Sequence, residues 1–208
     1  PMRAMVTVAT LVLASLVISP RAADAATLGF ACITKPVAST ACAIGESQLS
    51  VEVFAGSGSL SGLVGFAFRN AGPAASAISE IYFDDGTLLA QSTIVNGPGV
   101  RFVAGANPGN LPGGNAINPA FNVTQNFLAE ASNPPPANGV GPGEAVTLYY
   151  TLQGGQTLSD TLGSLASGAL RIGVHVIGFA NGDSASFVNT PGPLPAGLLA
   201  QLSSPTRL

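Results

Sequence analysis

Residues 170–189 read LRIGVHVIGFANGDSASFVN, and the fold follows from how this stretch alternates. Leu170, Ile172, Val174 and Val176 recur at a spacing of two, the period at which side chains leave one face of a β-strand. Arg171, Gly173, His175 and Ile177 take the other face. Asn181, Gly182 and Asp183 then supply turn chemistry, and residues 185–188 resume as a last short strand. A strand with one apolar face needs a second layer to cover it. The expected register puts the four aliphatic residues inside and the single histidine on the opposite face.

The rest of the chain repeats this grammar. Residues 27–33 alternate weakly as a first strand, and residues 48–55 (QLSVEVFA) alternate clearly. Gly56-Ser57-Gly58-Ser59 is a turn, and residues 63–69 (LVGFAFR) return as the second arm of a hairpin. Residues 78–83 (ISEIYF) end in Asp84-Asp85-Gly86, whose Asp-Gly pair is hairpin chemistry, so residues 88–95 are expected as the return strand. Residues 96–143 are crowded with Gly, Pro and Asn, with short strands expected only at 100–103 and 121–123. Such a region is either a folded excursion over one sheet or a partly mobile segment. Residues 144–152 make another strand. Residues 157–167 are the one helix expected, capped by Thr157 or Ser159, with Asp160 in its first turn, Leu158, Leu162 and Leu165 on one face, and Gly168 at its end. The predicted fold is all-β: a two-sheet antiparallel β-sandwich, jelly-roll or Ig-like, with one short helix.

Composition narrows the class. At 208 residues the chain suits one domain, and only 8% of it is charged, against about a quarter in an average soluble domain. Gly (26) and Pro (16) are abundant and the mean hydropathy is +0.45, a profile of extracellular β-rich proteins. With no Trp, three Tyr, a net charge of −3 and no basic patch, nucleic acid is excluded as an expected partner. Arg3, the apolar run over residues 4–18 and Ala23-Asp24-Ala25 have the three parts of a cleaved secretory signal over residues 1–25. That run is short for a bilayer span and Pro20 follows it. Its removal leaves nine acids and five bases. Export to an oxidising compartment favours a Cys32–Cys42 disulfide, which closes a short loop and contributes about 2.5–3 kcal/mol in the chain-entropy model; two unpaired buried thiols are the alternative.

Several pieces together resemble a known class: the signal-like start, Ala31-Cys32-Ile33-Thr34, Ala43-Ile44-Gly45-Glu46, Ile81-Tyr82-Phe83-Asp84-Asp85-Gly86, and Leu170 to Val176 followed by Ser186-Phe187-Val188-Asn189. The chain resembles exported Gram-negative proteins of the PEP-CTERM class. The resemblance implies secretion or cell-surface localisation, processing by signal peptidase and an exosortase, and a setting of extracellular polysaccharide or other surface proteins. It implies no active site. Pro193-Leu194-Pro195-Ala196 matches the tail motif, but Gln201, Ser203, Ser204 and Pro205 break the apolar span and only Arg207 remains of the basic cluster. Residues 26–189 are thus the expected sandwich and residues 190–208 a degenerate, disordered sorting tail.

Candidate site residues are few. Asp84 and Asp85, with Glu80 and Asp183 if the fold gathers them, have the oxygen ligands Ca²⁺ takes; a hairpin turn explains the same Asp-Gly pair. A sugar- or calcium-binding patch would add Tyr82 to the aspartates. His175 suits a general base only with a polar partner and an activated nucleophile, and no Gly-x-Ser-x-Gly elbow is present. Glu46, Glu52, Glu80, Asp84 and Glu144 offer carboxylate pairs of no specific spacing. The expected function is therefore a non-enzymatic secreted or extracellular-matrix protein without cofactor or metal, the alternative a carbohydrate- or calcium-binding module.

Overall fold

The computed structural model describes residues 25–36, 39–104, 109–124 and 129–191. The proposed signal over residues 1–25, except Ala25, and most of the proposed tail lie outside the described residues. Two antiparallel sheets face each other. One has five strands: β1 (Ala26–Leu28), β3 (Leu49–Ala55), β4 (Val64–Asn70), β9 (Ala145–Leu152) and β6 (Leu89–Asn96), in that spatial order. The other has six: β2 (Phe30–Cys32), β11 (Ala185–Asn189), β10 (Arg171–Ile177), β5 (Ala77–Asp84), β8 (Ala129–Ala131) and β7 (Phe102–Ala104). This is the two-sheet sandwich that the alternation predicts.

The opening stretch keeps its register. Ile172, Val174 and Val176 are buried on the inner face of β10, Leu170 is buried just before it, and Arg171, His175 and Ile177 are half-buried on the outer face. β10 lies between β5 and β11, and with β5 it is one of the two middle strands of its sheet. Across the core, Phe83 of β5 meets Phe66 and Tyr150 of the opposite sheet edge-to-face, with ring centroids 5.2 and 5.1 Å apart. Such geometry adds to the area that aromatic rings bury. The β3–β4 hairpin pairs from Leu49 with Asn70 to Ala55 with Val64, as expected.

Three expectations need correction. Residues 88–95 do not return beside β5: β6 pairs with β9 in the other sheet, so Asp84-Asp85-Gly86 turns a corner between layers. Asp85 fixes that corner, its Oδ2 accepting the Leu89 N–H at 2.7 Å and its carbonyl accepting the Leu88 N–H at 3.1 Å. Residues 27–33 are two strands, split at Gly29 between the two sheets. Residues 121–123 form no strand, whereas β8 was not foreseen.

The single predicted helix is α3 (Leu158–Ser167), with a Thr157–Asp160 capping box and Gly168 left-handed at φ 77°. It is joined by α1 (Thr40–Gln48) and the one-turn α2 (Pro135–Asn138). α1 begins at Ser39, whose side chain accepts the Cys42 N–H, and buries only Ala41, Cys42, Gly45 and Gln48. Gln48 anchors its end: Nε2 donates to Asn70 Oδ1, the Ala74 carbonyl and Ser76 Oγ, and Oε1 accepts the Ala74 N–H at 2.8 Å. Cys32 and Cys42 are joined by a disulfide, Cα atoms 5.4 Å apart, tying α1 to β2.

Gly45 brings α1 onto the sheet, because a Cβ there would overlap the buried Phe187 ring. In an exposed helix Gly to Ala gains about 1 kcal/mol of propensity, but overpacking a full core costs about 1–3 kcal/mol. Gly45→Ala is therefore expected to lower the unfolding free energy in urea denaturation, and an unchanged or higher value would contradict this packing.

Candidate functional site

The outer face of the six-stranded sheet is not left to solvent. Residues 109–124, from the Gly-, Pro- and Asn-rich region, lie across it, and Leu111 and Phe121 form a second small core with Tyr82. Gly173 makes the seat: a Cβ there would lie 2.6 Å from Leu111 Cδ2 and 3.1 Å from Phe121 Cζ. Of the two alternatives for this region, the described part is the folded excursion.

A clamp at one end holds the excursion. The Arg171 guanidinium donates to Asp84 Oδ2 and to the Pro119 and Ala120 carbonyls, and its Cζ lies 5.3 Å from the Phe121 ring centroid. Asp84 Oδ2 also accepts the Asn122 N–H at 3.1 Å. Arg is suited to this because its planar fork reaches several acceptors and stacks on a ring.

The four proposed calcium ligands do not come together. Asp84 is in that clamp and Asp85 turns inward at the sheet corner, 4% exposed. Glu80 sits four residues up β5, roughly 13 Å along the strand. Asp183 lies beyond the far end of β10, in a turn where its N–H donates to Asn181 Oδ1. Among the described residues no group of three His, Cys, Asp or Glu side chains is placed to hold a metal ion. Tyr82, 1% exposed beneath the excursion, forms no exposed patch with the aspartates.

What the sheet does assemble is a polar row. Ser186 of β11, His175 of β10, Glu80 of β5 and Glu130 of β8 are successive cross-strand partners, and directly opposite residues share a face. Glu80 Oε2 accepts the Tyr82 hydroxyl at 2.6 Å and lies 3.0 Å from His175 Nδ1. The His175 hydrogen bond holds the Glu80 carboxyl below its usual range against the opposing effect of burial, and the Tyr82 bond adds to it. Burial, then the Glu80 carboxylate, push the Tyr82 phenol above its ordinary value. Glu80 thus accepts and Nδ1 donates, which fixes the tautomer and the ring.

Cavities open on both sides of this imidazole. One, of about 170 Å³, is lined by Ser79, Glu80, Glu130 and His175. The other, of about 310 Å³, lies between His175, Ser184 and Ser186, the Thr34-Lys35 segment and Gly113 of the excursion. A third of about 420 Å³ opens beside Asp85, Gln153 and Gln156 in another part of the fold. Glu80 and His175 were visible as candidates in the sequence, whereas Ser186, Thr34 and Lys35 were not. Only the strand pairing brings them to one place.

Compared with protein-family models, curated proteins and solved structures, the chain matches none. No helix among the described residues is long and apolar enough to cross a membrane.

The lowered Glu80 carboxyl has a pH consequence. A group with a depressed folded pKa stabilises the fold above its usual range and loses that contribution as pH falls through the folded value. Glu80→Gln is expected to be less stable than the parent at pH 7 in urea denaturation, with the gap narrowing toward pH 3. A gap that is constant across this range would show that the Glu80 charge contributes nothing.

Proposed function

We propose that the chain is an exported, non-enzymatic β-sandwich protein of a Gram-negative cell surface or extracellular matrix. The observation that carries this reading is the Cys32–Cys42 disulfide, which ties α1 to β2. Both cysteines follow closely on a signal-like start. Disulfides persist in oxidising compartments and are rare in the cytosol. The low charge of the chain and its resemblance to the sorting-signal class support the same address.

Glu80, His175 and Ser186 carry the residue types of a hydrolytic triad in the right order. Two features favour binding over hydrolysis. Ser186 lies within a paired strand rather than on a sharp turn, and its N–H already donates to Thr34 Oγ1 at 2.8 Å. Acyl transfer needs an accessible nucleophile and free N–H donors for the oxyanion.

Expression of the full chain in a Gram-negative host, followed by fractionation, thiol alkylation and mass spectrometry of the termini, tests the export reading. The expected product is extracytoplasmic, begins at Ala26 and has both cysteines blocked. An intact N-terminus with two free thiols in the cytoplasmic fraction would refute it.

A further inference from the structure

The cavity of about 310 Å³ gathers polar groups from three separate segments. Its floor is the outer face of β10 and β11, where His175 stands opposite Ser186. Ser186 lines the cavity through its backbone and Cβ side, while its Oγ is buried and has no hydrogen-bond partner among the described residues. A buried hydroxyl in this condition is the exception in folded proteins. The bond from its N–H to Thr34 Oγ1 holds this stretch of β11 against the second segment. Lys35, next in that segment, stands exposed at the rim, and no described residue pairs with its ammonium. The third segment lines it at Pro112, Gly113 and Ala116.

The imidazole is set for a particular contact. Glu80 Oε2, 3.0 Å away, accepts the hydrogen bond from Nδ1–H, so in the neutral ring the other nitrogen, Nε2, is an acceptor. The charged groups around the ring are Glu80 on β5, Glu130 beyond it on β8, and Lys35 at the rim. None of the residues lining this cavity is acidic. The polar side chains of the wall are therefore one cation, Lys35, one nitrogen acceptor, His175, and the hydroxyl residues Thr34 and Ser184. A volume at the lower end of ligand pockets, about 300–1,000 Å³, limits the occupant to the size of a single sugar ring.

We propose that this cavity binds a small hydroxy acid, either a free compound or an acidic sugar residue. Its carboxylate lies at Lys35, one hydroxyl donates to His175 Nε2, and another bonds the exposed Ser184 hydroxyl. The site needs neither export nor a sorting signal, so its fate is separate from that of the localisation reading.

The full chain has one histidine, which makes the test direct. In the ¹⁵N-labelled full chain, the ring nitrogens of His175 are followed by NMR during titration with D-glucuronate, with D-glycerate and with methyl glucoside. The expected result is a saturable Nε2 shift with one or both acids, an Nδ1 that stays protonated, and no response to methyl glucoside. Glucuronate alone would identify acidic sugars as the ligand, and glycerate alone free hydroxy acids. Lys35→Met is expected to weaken binding about tenfold with the amide spectrum otherwise preserved, as loss of a charge-assisted contact requires, while Arg101→Met binds normally. No saturable shift with either acid, an equal response to methyl glucoside, or undiminished binding by Lys35→Met would overturn the proposal.

Discussion

The seating of Leu111 and Phe121 on Gly173 is the contact on which the arrangement of the outer face depends. A sheet in a sandwich ordinarily buries one face and shows the other to water. Here the central strand of the six-stranded sheet is covered on both. The inner face carries the main core, and the outer face carries a roof that only a residue without a side chain admits so closely. Arg171 and Asp84 hold that roof at one end, and the gap left at the other is the cavity beside His175. Packing at Gly173 and the polar row from Ser186 to Glu130 are thus two parts of one face.

The polar row of the outer face holds the histidine through one carboxylate. Glu80, between His175 and the Tyr82 hydroxyl, has its charge balanced by two hydrogen bonds rather than by solvent alone. Removal of either donor would leave a half-buried carboxylate opposite Glu130, and like charges directly across a strand pair repel. The same strand geometry that packs the sandwich therefore fixes the tautomer on which the proposed ligand contact rests.

The sequence made some of this legible and hid the rest for physical reasons. Ile172, Val174 and Val176 showed their register because one side is continuously apolar. The Thr157–Asp160 box showed the start of α3 because helix capping is local chemistry. Asp84-Asp85-Gly86 shows a turn, but turn residues do not say which sheet the next strand joins, so a corner between sheets has the same local signature as a hairpin. α1 was missed because its contact face is Ala41, Cys42, Gly45 and Gln48, where small size and an amide network replace an apolar stripe. Of the residues proposed as ligands, Glu80 belongs to the site through His175. Asp84 serves the roof instead, Asp85 the corner and Asp183 its own turn. Ser186 and Lys35 carried no local mark, since what sets them apart is the pairing of β11 with β10 and the path of residues 33–36.

An NMR experiment reaches the cover over Gly173 directly. In a ¹³C-labelled sample, the Leu111 methyl groups and the Phe121 ring protons should give strong cross-relaxation peaks to the Gly173 α-protons, with the Leu111 methyls shifted by the aromatic ring beside them. Leu111 methyls at random-coil shifts, with no cross-peak to Gly173, would contradict the roof and with it the cavity beside His175.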